Sequence, residues 1–212
     1  IDRLVHATTV AANTILEHKG ALTGLITTEG FRDVLEMRRL RIPVMYDLRY
    51  QKPSPLVPRR RRYEVAERLD SAGDVIHALS EKEVEEVAKR LKDDGVDAIA
   101  ICLLHAHANS EPEKTVTSIL ERVLGPDVFI SRSSEVLPEI REYERTSTTV
   151  VNCYIGPIIG RYLRSLSDRL AGIGIKCPIQ IMHSAGGVMS IDSAIKKPAH
   201  LVESGPAAGV IA

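Results

Sequence analysis

The feature that most constrains this chain is the run at residues 96–104, VDAIAICLL, apolar throughout except for Asp97. A strand with one wet face alternates apolar and polar side chains. A continuous run of this length is instead a strand covered on both faces, as in a parallel sheet flanked by helices. Its neighbours agree. Ser80 with Glu83 forms a capping box that opens a helix through Val84, Val87, Ala88 and Leu91, and Gly95 closes it. Pro112 opens a second helix through Val116, Ile119, Leu120 and Val123, ending near Gly125, and residues 128–130 are the next strand. Upstream, a strand at residues 21–27 runs through Thr27, Thr28, Glu29 and Gly30 into a helix at 31–39. This is the strand, polar loop, helix order of an α/β layer, in which ligands sit at the carboxyl ends of strands. Each Thr can equally serve as a helix cap, which needs no ligand.

Between residues 41 and 68, Pro43, Pro53, Pro55 and Pro58 exclude a regular helix. The run Arg59, Arg60, Arg61, Arg62 reads as a solvated loop or an edge facing an acidic partner. Lys plus Arg and Asp plus Glu both number 28, and this neutral balance argues against nucleic-acid binding. No apolar stretch reaches membrane-spanning length, and no signal-peptide pattern opens the chain. Cys102, Cys153 and Cys177 are scattered in apolar contexts and read as reduced thiols of a cytoplasmic protein. His105 and His107 have metal-ligand spacing, but with Glu111 the one candidate for a further ligand, ordinary loop histidines are expected and no metal site is.

Residues 133–157 carry the strongest helix signals. Pro138 stands at a first-turn position. Ile140, Tyr143, Ser147, Val150, Val151, Tyr154 and Ile158 form an apolar face, with Arg141, Arg145, Thr148 and Asn152 on the other side. A solvated surface is the plain expectation for that polar stripe, and Gly156-Pro157 allows a kink. At the start, a short apolar strand precedes His6, Thr8 and Thr9 and a helix through Ala11 to Leu16. Late in the chain, a strand at 178–182 runs into His183-Ser184-Ala185-Gly186-Gly187, where a backbone can approach a ligand closely. Ser204 and Pro206 then open a helix of small residues. Its N-terminus reads equally as an anion site or as close helix-to-sheet packing.

Taken together, HATTVAANTILEHKG, LITTEGFRDVLE, SSEVLPEIREYERTSTTVVN, residues 154–157 and SGPAAGV resemble the A-type subunits of the hydantoinase, 5-oxoprolinase and acetone carboxylase family, in order along nearly the whole chain. The resemblance implies an α/β fold: the first lobe of an actin-like (ribonuclease H-like) ATPase, incomplete, with an inserted α/β subdomain. It implies three segments: 1–50 as the start of the lobe, 51–135 as the subdomain, and 136–212 as long helices, a strand and a cleft helix. Two phosphate loops of approximate pattern Asp-x-Gly-Gly-Thr are absent. Both ends of the chain therefore look like cuts through a larger protein.

The implied activity is ATP-dependent phosphorylation of a cyclic amide's carbonyl oxygen, driving ring-opening hydrolysis. The alternatives are an ATP-dependent ketone carboxylase subunit and a non-catalytic binding or scaffold module. A sugar or acid kinase on the same fold matches the substrate segments less well. ATP and Mg²⁺ are the implied cofactors, with a B-type subunit or domain as partner in an oligomer. On this resemblance His6, Thr8, Thr9, Asn13, Arg141 and Arg145 are the catalytic candidates, and Ser184, Gly186, Gly187, Ser204 and Gly205 the nucleotide-binding ones. Ala7, His107 and Ala185 depart from the family's pattern.

Overall fold

A computed structural model describes residues 3–41, 47, 49–175 and 177–211. Pro43 lies outside the described residues. In chain order the elements are β1 (Leu4–His6), α1 (Val10–Leu16), β2 (Thr23–Thr28), α2 (Val34–Met37), β3 (Arg62–Val65), β4 (Arg68–Leu69), β5 (Val75–His77), α3 (Glu81–Asp93) and β6 (Ala98–Cys102). There follow α4 (Glu111–Leu124), β7 (Phe129–Arg132), α5 (Ser133–Val136), α6 (Glu142–Gly172), β8 (Ile179–Met182), β9 (Val188–Ser190), α7 (Ile191–Lys196) and α8 (Ser204–Ile211). The chain forms two compact units, Thr23–Val151 and Ile1–Leu22 with Asn152–Ala212. These bounds differ from the three segments 1–50, 51–135 and 136–212, because β2 pairs with β3 and β6 and so joins the middle of the chain. No described helix is long and apolar enough to cross a membrane.

The Thr23–Val151 unit is built on a four-stranded parallel sheet ordered β3-β2-β6-β7. Strand β6 is buried at every residue, as its unbroken apolar run requires. Helices α3 and α4 supply the packing face, with Val84, Val87, Ala88, Leu91, Val116, Ile119 and Leu120 buried against Ile26, Ile99 and Ile101. Ser80 caps α3 by accepting from the Glu83 amide. Gly24 in β2 has a packing reason: a Cβ there would lie 2.4 Å from Leu91 Cδ2, so a larger residue requires the Leu91 side chain to move aside.

The other unit holds a three-stranded sheet in which β8 pairs parallel with β1 and antiparallel with β9. Its spine is the stretch of α6 from Asn152 onward, where Cys153, Ile155, Ile159 and Leu163 are fully buried. Gly20 ends the α1 connection against Tyr154: its Cβ would fall 2.1 Å from the ring, and Ala21 N donates to Tyr154 O at 2.8 Å.

Three sequence expectations fail here. Pro138 does not open a helix. It drives Leu137 to φ −150°, ψ 85°, which closes α5 and delays α6 to Glu142. Helix α6 then continues through Pro157, because burial along its length outweighs one lost amide bond. Its polar stripe is also not a solvated face. Arg145 is 1 % exposed and Asn152 0 %, while Ile140 of the expected apolar face is 63 % exposed. In the arginine run, Arg62 is buried rather than in a solvated loop. It donates to Val57 O at 3.0 Å and to Glu36 at 2.9 Å.

Candidate functional site

The site forms at the carboxyl ends of the parallel strands β1 and β8. The chain leaves β1 at His6, whose Nε2 lies 2.8 Å from the Tyr162 hydroxyl, and burial holds this imidazole below its ordinary pKa. Thr8 is buried, and its hydroxyl accepts from Val10 N at 3.1 Å, so it braces the entry to α1. Thr9 occupies the N-cap position without capping and is exposed, with Asn13 Nδ2 3.5 Å from its hydroxyl. Both are therefore open to a ligand.

Ser204, fully buried at the start of α8, donates to Thr8 O at 3.0 Å and accepts from Thr8 N at 3.4 Å. This two-way link brings the two ends of the chain together. Gly205 permits it, since a Cβ there would lie 2.8 Å from Thr9 Cγ2. Pro206 has no amide hydrogen and Ala207 N is bonded to Glu203 O, so the first-turn donors left to α8 are Ser204 and Gly205.

From β8, residues 183–187 turn tightly into β9, with His183 N bonded to Gly187 O at 2.7 Å and Gly186 at φ +86°. The Ser184 hydroxyl donates to His200 O at 2.7 Å and accepts from Glu203 N at 3.0 Å, which ties this turn to the residue before Ser204. Thus His6, Thr8, Thr9, Asn13, Ser184, Gly186, Ser204 and Gly205 share one end of one small sheet, and Gly187 closes the same turn.

Arg141 and Arg145 belong to the other unit. Arg141 is exposed, but Arg145 is buried and engaged with neutral partners. Its Nη2 donates to Leu103 O at 2.8 Å, and its Nη1 lies 3.1 Å from His107 Nδ1. A guanidinium only donates, so His107 accepts at Nδ1 and carries its proton on Nε2. Burial and the adjacent cation hold His107 below its ordinary pKa.

Around this arginine the backbone just beyond β6 is satisfied by side chains, as buried peptide groups require. Leu103 N donates to Glu113 at 3.0 Å, and Leu104 N donates to Thr28 Oγ1 at 2.9 Å, which in turn donates to Glu67. Glu113, 0 % exposed, also accepts from Ser133 Oγ at 2.5 Å and Ser134 N at 2.9 Å. Burial pushes the Glu67 carboxyl above its ordinary pKa. None of Glu67, Glu113 and Thr28 was singled out for these roles from sequence. The Pro112 helix start was the one signal near Glu113. Among the described residues no group of three or more His, Cys, Asp or Glu side chains is arranged to hold a metal ion.

Comparison with known proteins adds the family. The hydantoinase/oxoprolinase N-terminal region matches residues 1–124, and the hydantoinase/oxoprolinase model matches residues 145–212. An uncharacterized protein of Methanocaldococcus jannaschii is 42 % identical over 100 % of this chain and 32 % of its own length. The caprolactamase alpha subunit of Pseudomonas jessenii is 33 % identical over 97 % of this chain and 30 % of its own. The crystal structure of that ATP-dependent caprolactamase superposes with a TM-score of 0.89, at 33 % identity, over 97 % of this chain and 30 % of that one. A nucleotide-free acetone carboxylase structure superposes with a TM-score of 0.87 at 29 % identity, over 98 % and 30 % respectively. The chain thus spans about a third of the length of these relatives.

Proposed function

This chain belongs to the hydantoinase/oxoprolinase family, and on that footing we propose that it is part of an ATP-dependent enzyme that phosphorylates the carbonyl oxygen of a cyclic amide to drive ring-opening hydrolysis. The observation that carries this reading is the Thr8–Ser204 link. It sets the N-terminus of α8, with Gly205 and the exposed Thr9 hydroxyl, at the carboxyl ends of two parallel strands. Such an end suits an anionic ligand, because strand-end loops and helix N-termini present donors together. On this reading the unit containing β1 and β8 is part of the first lobe of an actin-like ATPase fold, and Thr23–Val151 is a body inserted into it.

In the proposed reaction the amide oxygen attacks the γ-phosphorus of ATP and ADP leaves. Water then adds to the activated carbon, and the ring C–N bond breaks with the nitrogen taking up a proton. A second water attacks the carbon of the resulting acyl phosphate, so that phosphate departs with the former carbonyl oxygen. The amides of Ser204 and Gly205 and the Thr9 hydroxyl take part in holding phosphate oxygens. Thr8 and Ser184 hold those groups in place. Mg²⁺ needs only one or two carboxylates when phosphates supply its other ligands, and the exposed Glu203 beside Ser204 suits that donor set. When bound, the ion spreads the charge of the transferred group. Arg145 supports the fold of its unit, and Arg141 is left to meet an anion or the B-type partner subunit. The three free cysteines suit a cytoplasmic setting.

The test is a cyclic amide labelled with ¹⁸O at the carbonyl, given with ATP to the full-length protein and its partner subunit. Label appearing in inorganic phosphate is the expected result. Label confined to the ring-opened carboxylate refutes departure of phosphate with the carbonyl oxygen, and cyclic-amide hydrolysis without ADP formation refutes carbonyl phosphorylation. The likeness to acetone carboxylase favours a second reading, phosphorylation of a ketone before carboxylation. Ketone-dependent ADP release with no response to hydantoin or lactam would select it.

A further inference from the structure

The turn at residues 183–187 contains a side-chain pair that the chemistry above does not use. His183 Nδ1 accepts from Ala185 N at 2.9 Å, and His183 Nε2 lies 2.8 Å from His200 Nδ1. A backbone amide can only donate. His183 Nδ1 therefore keeps its lone pair, and the ring proton sits on Nε2. That proton is donated to His200, so His200 Nδ1 is also unprotonated and His200 carries its proton on Nε2. One peptide N–H thereby sets the tautomers of two histidines. Their rings lie 4.8 Å apart at 34°.

His200 is the hub of this end of the sheet. Its carbonyl accepts from both Ser184 N at 2.8 Å and Ser184 Oγ at 2.7 Å. The turn containing it is anchored to α6, since Asn152 Oδ1 accepts from Ala199 N at 2.9 Å and Asn152 Nδ2 donates to Lys196 O at 3.0 Å. Further along, Glu203 N reaches back to Ser184 Oγ, one residue before Ser204 engages Thr8. Displacing the His200 ring thus loosens the 183–187 turn and the entry to α8 together.

We propose that His183 and His200 are positioning residues of the phosphate-facing site, acting as one hydrogen-bonded unit of fixed tautomers that holds the 183–187 turn against the start of α8. The proposal rests on the nucleotide-binding role inferred above for that site.

The experiment uses the full-length protein, with Mg-ATP as probe in calorimetry and ¹⁵N-edited imidazole spectra for the tautomers. The wild type is expected to show both rings as the Nε2–H form. His200→Leu removes the acceptor and weakens Mg-ATP about tenfold, the worth of one good hydrogen bond. His200→Asn places an amide oxygen near the position of Nδ1 and recovers most of that loss. His183→Asn keeps an acceptor for Ala185 N but is too short to reach His200, and it weakens binding to the same degree. The double variant His183→Asn, His200→Leu is no worse than either single one, because the residues act as a unit.

An Nδ1–H tautomer at His183, additive losses, or wild-type affinity in a folded His200→Leu variant each overturn the proposal. If the wild type binds no nucleotide, the reading of the site fails, and the positioning role is judged by amide exchange at Ser184 and Ala185. Faster exchange in His200→Leu upholds it, and unchanged exchange refutes it.

Discussion

Replacing Ser204 with alanine tests the link on which the candidate site depends. The wild-type hydroxyl gives Thr8 O a 3.0 Å bond and takes a longer 3.4 Å bond from Thr8 N, with Ser204 fully buried and Thr8 only 7 % exposed. Alanine removes both bonds and introduces no substitute, so two backbone groups of Thr8 lose a partner where water has little access. Each stranded buried group costs about 1–3 kcal/mol, and the longer bond belongs at the low end of that range. The sum is about 2–4 kcal/mol, a shift of roughly 30- to 1000-fold in the equilibrium that docks α8 onto the β1–α1 loop. Amide exchange at Thr8, measured on the full-length protein, reads this docking directly. Mg-ATP affinity reads its functional consequence. Ser204→Cys is expected to fall between wild type and Ser204→Ala, because a thiol is a weaker donor and acceptor. A change of less than about threefold in both exchange and affinity for Ser204→Ala would refute the claim that this hydroxyl holds the site together.

Glu113→Gln keeps the shape of a buried carboxylate but turns an amide N–H toward either Leu103 N or Ser134 N, both donors. A loss of about 2–4 kcal/mol in urea unfolding is expected, and a loss under about 0.5 kcal/mol would show that the network is not under this electrostatic constraint. For Glu67, burial raises the folded pKa above the ordinary 4.5, so the native state binds its proton more tightly than the unfolded one. The resulting stabilisation is complete below pH 4.5 and is lost as pH rises through the folded value. Glu67→Gln should therefore gain on wild type as pH climbs from about 4.5 to 7 in thermal melts, and a gap that widens on acidification contradicts the sign. Gly20→Ala forces a Cβ to within 2.1 Å of the Tyr154 ring. It should cost about 1–3 kcal/mol, with Gly20→Ala, Tyr154→Ala less destabilised than the sum of its single variants. Strict additivity in unfolding would locate the strain elsewhere.

Sequence alone determined the elements whose cause is local or periodic. The unbroken apolar run at β6, the Ser80 capping box and the Pro112 helix start each became the expected element. The order of strands and polar loops also identified the ends where candidate residues gather, and the joint pattern of segments identified the family. The faces of α6 were not legible. Hydrophobic periodicity sorts side chains by apolarity, and this helix buries a row of hydrogen-bonding groups instead. Arg145 is inside because the Leu103 carbonyl, left unpaired beyond the end of β6, needs a donor there. Asn152 is inside because the backbone of residues 196–199 needs both a donor and an acceptor.

The same limit separates Thr8 from Thr9. The chain marks both as polar residues in a strand-end loop, but only tertiary structure decides that one braces the loop and the other is left open to a ligand. The joining of residue 8 to residue 204 is likewise invisible in sequence. It depends on β1 and β8 becoming parallel neighbours, a pairing between segments some 170 residues apart that no local signal encodes.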